Sequence, residues 1–254
     1  MAAIAVTGSR SGIGRALSAK LAAEGRSVVG VDVADADVIA DLSSDAGRRA
    51  AIRGVLAAAG GKLEGFVACA GVGPATAASP TIVSVNYFGA VELLDAFKDA
   101  LVAAAPAAAV VVSSNSATTV PGISEELVIS MLDGDEGSAR WGVEDVDATI
   151  AYAASKLALA RAMRRRAPAW ASDGVRLNAI APGAVDTPLL QATLADSELG
   201  PLVRAFPIPC GRFGRATEIA DGILFLLGPA ASFCCGSVLF VDGGTDALVR
   251  PDGL

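Results

Sequence analysis

The stretch "YAASK" sets a phenol, Tyr152, and an amine, Lys156, four residues apart. On a helix that spacing places both side chains on one face, one turn from each other. A free phenol titrates near pH ~10 and moves protons sluggishly at neutral pH, whereas an ammonium beside it favours the phenolate and draws that value down. Moving a pKa by one corresponds to about 1.4 kcal/mol, so a phenol poised near neutrality asks about 3 to 4 kcal/mol of its surroundings. The pair is a candidate general acid/base; the competing reading is two amphipathic side chains snorkelling along an ordinary helix. The chain has no His, so the commonest acid/base and the commonest metal ligand are both absent, and no metal site is expected.

A second constellation lies at the other end of the chain. "TGSRSGIG", Thr7 to Gly14, follows an apolar run and opens a segment with Ile13, Leu17 and Leu21 on one helical face. Glycines there (Gly8, Gly12, Gly14) let backbone pass close to a pyrophosphate, and the N–H groups around Ser11 and Ile13 at the new helix terminus can receive its charge. Asp32 ends the next apolar run. A carboxylate in that place accepts the ribose hydroxyls of an adenosine and repels a 2'-phosphate, which favours NAD over NADP. Arg10 reads as a surface or pyrophosphate-proximal side chain beside it. Asp41 and Leu42 fall where an adenine ring would lie, with a helix cap as the other reading of Asp41.

These residues must be held by a repeating scaffold. Apolar runs at Ala3 to Thr7, Ser27 to Asp32, Gly65 to Ala70, Ala108 to Ser114, Val175 to Ala181 and Ser237 to Asp242 alternate with Ala/Leu segments of helical period. Continuous apolar strands need cover on both faces, and the intervening helices supply it. The expected fold class is α/β: a doubly wound, Rossmann-type parallel sheet with helices on both faces, in a single domain over residues 1–254. Ligands in such sheets sit beyond the carboxyl ends of the strands, where several of the candidate residues fall. Two segments break the rhythm. Residues 115–147 form an insertion with an amphipathic piece at Glu125 to Leu132, and residues 184–212 form a Pro- and Gly-punctuated segment, with a short helix expected near Pro188 to Leu194, that suits a lid.

Taken together, "TGSRSGIG", "CAGVG", "VNYFG", "VVVSS", "YAASK" and "IAPGAVDTP" resemble the short-chain dehydrogenase/reductase family, in its order and over the whole chain. The resemblance implies a metal-free oxidoreductase interconverting a secondary alcohol and a ketone by hydride transfer. It implies Tyr152 as the proton donor or acceptor, and Lys156 lowering its pKa and binding the nicotinamide ribose. Ser114 would orient the substrate oxygen, with Ser113 and Ser116 as neighbouring alternatives. Asn86 would hold a relay water, or else be a helix-interior amide bonding backbone. Ala70, Gly71, Pro182, Gly183, Val185 and Thr187 would border the cofactor. The sequence departs from the family at Ala68-Cys69-Ala70-Gly71, where Asn-Asn-Ala-Gly is common; the missing amides put the rigidity of that turn in question.

Within the family, "VGVDVADADVIADLSS", "VSVNYFGAVELLDAF" and the insertion most resemble the bacterial hydroxysteroid dehydrogenases/carbonyl reductases. That likeness implies a 3α-hydroxysteroid or similarly bulky apolar carbonyl substrate. Val128, Ile129, Met131, Leu132 and Trp141 of the insertion, with Leu189, Leu190, Leu194 and Phe206 of the lid, are candidates to wall its cleft or to pack on the body of the domain. It also implies a homodimer through Thr217 to Leu227 and Ser237 to Val241, because the insertion covers the helix face many relatives use. The alternatives are a smaller ketone, a 3-oxoacyl thioester or a terpene alcohol as substrate, or a non-catalytic dinucleotide sensor.

Charge narrows the partners: 20 Lys plus Arg against 27 Asp plus Glu give a net charge of −7, which repels nucleic acid and anionic membranes. "GILFLLGPAASFCCGSVLFV" is long and apolar, but Gly228-Pro229 and Gly236 divide it into a helix end, a turn and a core strand. Met1 runs straight into "AAIAV" with no basic stretch, so the expected location is cytoplasmic. Cys69, Cys210, Cys234 and Cys235 lack a metal or redox spacing and are expected as small core hydrophobes.

Overall fold

The computed structural model describes residues 2–253. The chain runs through β1 (Ala3–Thr7), α1 (Gly12–Ala23), β2 (Val28–Asp32), β3 (Val38–Ile39), α2 (Asp45–Ala58), β4 (Leu63–Ala68), α3 (Ser79–Val83), a π-helical turn (Ser84–Phe88), α4 (Gly89–Val102) and β5 (Ala107–Val112). It continues through α5 (Ser116–Thr119), α6 (Glu125–Leu132), α7 (Glu136–Gly142), α8 (Ala148–Ser172), β6 (Val175–Pro182), β7 (Val185–Asp186), α9 (Pro188–Ala195), α10 (Leu199–Ala205), β8 (Gly214–Arg215), α11 (Ala216–Leu227), β9 (Val238–Val241) and α12 (Thr245–Val249).

Seven strands form one sheet in the order β3-β2-β1-β4-β5-β6-β9, every pairing parallel. The chain winds outward in opposite directions from β1 and β4, so their connections part at the carboxyl ends and leave a crevice there. On one face Leu17 and Leu21 of α1 and Ile219 and Ile223 of α11 pack on Ile4, Val6 and Val110. On the other, Val55, Leu94, Phe97, Ala158 and Met163 from α2, α4 and α8 cover Phe66, Val111 and Leu177. Phe66 and Phe97 meet edge to face with ring centroids 5.0 Å apart, a favoured aromatic geometry.

All six expected strands are present, displaced by at most two residues at an end. The two-residue strands β3, β7 and β8 are too short to leave a periodic signal. The long apolar stretch resolves into α11, a 3-10 turn at Pro229–Ala231 and β9. No helix among the described residues is long and apolar enough to cross a membrane. β9 is not the core strand expected: its four residues are half-buried, because it is the last strand of the sheet and one edge is open. The cysteines depart from expectation in part: Cys69, just after β4, packs against the core as expected, whereas Cys210 and Cys235 are exposed and Cys234 is half-buried in a loop.

The insertion folds as α5, α6 and α7 and lies across α8. Val128 and Met131 are fully buried in the core beneath it, whereas Ile129 and Trp141 are exposed. Glu125 pairs with Arg161 of α8 at 2.5 Å. The segment expected as a lid folds as α9, matching the expected short helix, and α10. Its two stems are paired as β7 and β8, Val185 opposite Gly214 and Asp186 opposite Arg215.

Candidate active site

Asp147 starts α8 by accepting hydrogen bonds from the backbone N–H of Thr149 and Ile150 at 2.8 and 3.3 Å, which points Tyr152 and Lys156 at the end of β5. Lys156 is only 4 % exposed, and its ammonium donates to the Val112 carbonyl at 2.9 Å. Its Nζ lies 5.6 Å from the centroid of the Tyr152 ring. Ser113 donates to the Lys156 carbonyl at 2.8 Å, fastening the strand end to the helix. That commits Ser113 to structure. Ser114 accepts from Ser116 N–H at 3.1 Å and borders the same cavity as Tyr152.

The electrostatics differ from the sequence expectation. Burial pushes the Tyr152 phenol up from its ordinary value, and a hydrogen bond from the Ser114 hydroxyl opposes only part of that. Lys156 is lowered to about 8, again by burial. In the free protein burial outweighs any lowering of the phenol by Lys156, whose ammonium is bonded to the Val112 carbonyl and lies over the Tyr152 ring. Burial also raises the Cys69 thiol to about 12, so it stays protonated beside the amine.

Asn86 sits in the π-helical turn, fully buried. Its Oδ1 accepts from Val72 N–H at 2.9 Å and its Nδ2 donates to Val72 O at 3.0 Å. The side-chain amide is thus engaged with the Val72 backbone through both its oxygen and its nitrogen. A π turn displaces main-chain carbonyls from the regular helical ladder, and such turns recur at functional sites.

The expected cofactor residues line one continuous cleft. Ile13, Gly71, Pro182, Gly183, Val185 and Thr187 border its inner end with Ser114, Tyr152 and Lys156. Gly8, Ser11, Gly12, Gly14 and Ala70 border its middle, and Asp32, Asp41 and Leu42 border an outer chamber of about 370 Å³. The backbone of this cleft fits a dinucleotide. Gly12 has φ +46°, and a Cβ on Gly14 would come within 2.1 Å of Gly8 O, so side chains are excluded where a pyrophosphate must meet the start of α1. Asp32 is held on both oxygens by backbone N–H groups, Arg10 at 3.0 Å and Val33 at 2.8 Å, which aims its carboxylate at the outer chamber. Arg10 itself is exposed. Asp41 accepts from Ser43 N–H at 2.9 Å, a local turn, while Ser44 caps α2, so Asp41 is not the helix cap.

The turn without the family's amides is nonetheless tied down: Thr7 Oγ1 accepts from both Cys69 N–H and Ala70 N–H at 3.0 Å. Two of its backbone N–H groups are thus held without the amides.

A further cavity of about 380 Å³ opens beside Ser114 and Tyr152, within the roughly 300–1,000 Å³ of small-molecule sites. Its lining is predominantly apolar. The lid supplies Leu189, Leu190, Leu199, Leu202, Val203 and Phe206, with Ile208 after α10. Leu194 does not line it, and neither do Val128, Ile129, Met131, Leu132 or Trp141; the insertion contributes Ser116, Thr119, Val120 and Pro121 instead. Sequence reasoning missed Thr149, although it stands three residues before Tyr152 and so on the same helix face. It also missed Thr245, which arrives from the far end of the chain with no local signal.

Residues 2–125 match the short chain dehydrogenase family and residues 138–246 match the family described as Enoyl-(Acyl carrier protein) reductase. The chain belongs to the short-chain dehydrogenase/reductase family. It is 46% identical to a 3-alpha-hydroxysteroid dehydrogenase/carbonyl reductase of Comamonas testosteroni over 99% of both chains. It is 33% identical to a cis-4-hydroxycyclohexanecarboxylate dehydrogenase of Sinomonas cyclohexanicum over 96% of both. Among solved structures, the 3-alpha-hydroxysteroid dehydrogenase of Pseudomonas sp. B-0831 complexed with NADH superposes with TM-score 0.96 and 50% identity, over 99% of this chain and 100% of that one.

Proposed function

We propose that this protein is an NAD-dependent oxidoreductase that interconverts a secondary alcohol and a ketone on a bulky, apolar, alicyclic substrate such as a 3α-hydroxysteroid. The observation that carries the reading is the convergence of Ser114 and Tyr152 on the boundary between the dinucleotide cleft and the apolar cavity. The Comamonas and Pseudomonas relatives support the substrate class.

When bound, the nicotinamide supplies or accepts the hydride. The chain does the rest. Ser114 Oγ holds the substrate oxygen, and Tyr152 Oη gives that oxygen its proton in reduction or removes it in oxidation. The elevated phenol of the free protein stays protonated at neutral pH and is ready to donate. Lys156 fixes the ribose and holds positive charge behind Tyr152, and Asn86 contributes to the proton relay through its main chain. Lid side chains such as Leu190 and Phe206 exclude water and hold the hydrocarbon body of the substrate. The residues bordering the dinucleotide take the roles given by their places along the cleft, with Asp32 on the adenosine ribose.

Turnover followed by the absorbance of reduced nicotinamide, with a 3α-hydroxysteroid, a monoterpenol, a short ketone and an acetoacetyl thioester, tests the reading. Each buried methylene is worth about 0.8 kcal/mol, so the steroid should exceed the short ketone in kcat/KM by orders of magnitude. Brisk thioester reduction with no steroid turnover would replace this substrate class by the acyl one.

A homodimer through α11 and β9 belongs to the same reading. Phe225 on α11 is 44% exposed, β9 presents an open edge, and the insertion covers α8. The four free thiols suit a reducing compartment, which supports a cytoplasmic location.

A further inference from the structure

Behind the outer chamber lies an ionic cluster that the reaction does not use. Arg48 of α2 is 2 % exposed, and its Nη1 donates to the Leu42 carbonyl at 3.2 Å and to Glu136 Oε1 at 3.3 Å. Its Nη2 pairs with Glu136 Oε2, and its Nε lies 2.8 Å from Glu92 Oε2, too poorly aligned to count as a hydrogen bond. Ser84, in the π-helical turn, donates to Glu136 Oε1 at 2.5 Å and accepts from Arg140 Nη1 at 2.5 Å. Arg140 Nη1 also reaches the Pro80 carbonyl at 3.4 Å.

These bonds end on both walls of the chamber. Leu42 lines one wall, and Thr81 and Val85, three residues before and one after Ser84, line the other. Glu136 and Arg140 both come from α7 of the insertion, so a segment that contributes nothing to the chamber's surface is bonded to each side of it. A buried ion pair is weak evidence for stability, because its desolvation cost offsets its attraction; fixing the relative position of elements is the better-attested use. Arg48 is suited to that task, since its planar fork fixes directions that an ammonium would leave free.

We infer that Arg48, Ser84 and Glu136 are positioning residues through which helix α7 of the insertion sets the spacing of the two walls around the adenosine, and so the affinity for the dinucleotide. The inference rests on the reading that this chamber takes the adenosine of NAD. It gives the insertion a role separate from covering α8.

The test is direct binding of AMP and NADH to the full chain, alongside kcat at saturating NADH, for the wild type, Glu136→Gln, Arg48→Lys and Ser84→Ala. Coupling along such networks is worth about three- to thirtyfold, so dissociation constants for both nucleotides should rise by that factor while kcat stays within about twofold. Ser84→Ala removes only a hydroxyl and carries the test if the charge variants do not fold. Unchanged AMP affinity in Ser84→Ala and in every charge variant that folds, even with lower melting temperatures, would make the cluster merely structural and overturn the inference. A wild type that binds neither AMP nor NADH would remove the cofactor reading itself, a separate failure.

Discussion

The Lys156 ammonium stands 5.6 Å from the centroid of the Tyr152 ring and is hydrogen-bonded to the Val112 carbonyl at 2.9 Å, so the free protein holds its cation behind the phenol and not on its oxygen. Removing the phenol oxygen alone should leave this arrangement and the dinucleotide cleft in place. Tyr152→Phe should lose about two to four orders of magnitude in kcat while binding NADH as the wild type does. Turnover near the wild-type rate would make Tyr152 structural.

The titrations of Lys156 and Tyr152 give a pH dependence with a definite sign. Lys156 is lowered to about 8, so its charge is complete below that value and lost as pH rises through it. In reduction kcat/KM for NADH, which reports the free enzyme, should be level on the acid side and fall above about pH 8. The same lowering acts on stability: between about 8 and 10.5 the unfolded chain holds the extra proton, so this group's contribution to stability rises with pH across that window. The raised Tyr152 phenol acts the other way at higher pH, where the folded state keeps a proton that the unfolded state has released. A reduction profile that stayed level to about pH 10 would contradict the Lys156 assignment.

Cofactor choice should turn on Asp32, whose carboxylate is fixed by two backbone N–H groups. The wild type should show a lower KM for NAD than for NADP, and Asp32→Ala should move the ratio toward NADP by removing the repulsion. Equal use of both cofactors by the wild type would contradict this.

Leu202 lines the apolar cavity beside Ser114 and Tyr152 yet is 66% exposed, so its substitution should separate recognition from folding. Leu202→Asp should lower kcat/KM for a steroid-sized ketone about tenfold, leave a short ketone nearly unaffected, and change the melting temperature little. Equal losses on both substrates would show that α10 does not contact the bulky body of the substrate.

Light scattering should give a homodimer, and Phe225→Arg should convert it to monomer by placing a charge in the apolar contact of α11. A wild-type monomer or tetramer would contradict the assembly.

The sequence carried the sheet well, and it placed Tyr152 and Lys156 on one helix, because both readings rest on local signals. Apolar strand runs announce burial on two faces, and a Tyr/Lys spacing of one helical turn fixes a shared face. Where several elements meet, local pattern says less. The amphipathic stripe of Val128 and Met131 announced burial correctly, but not that the surface beneath it was core and not cleft. The Arg48 and Glu136 pair joins residues separated by 88 positions, each an ordinary charged residue in its own helix. The direction of the Lys156 ammonium depended on a backbone carbonyl, Val112, and no side-chain pattern records where a carbonyl will point.

The pairing of β7 with β8 brings the two ends of the lid together before any substrate arrives. Arg212 and Arg215 reinforce that junction through Glu218 at the start of α11. Loop closure has therefore already been met by the fold, and its cost grows only slowly with added length. The segment between those stems is in effect a cassette anchored at its first turn: Pro188, Leu189 and Leu190 of α9 border the dinucleotide cleft, while α10 borders only the apolar cavity, so changes in α10 should alter that cavity without re-engineering the catalytic groups.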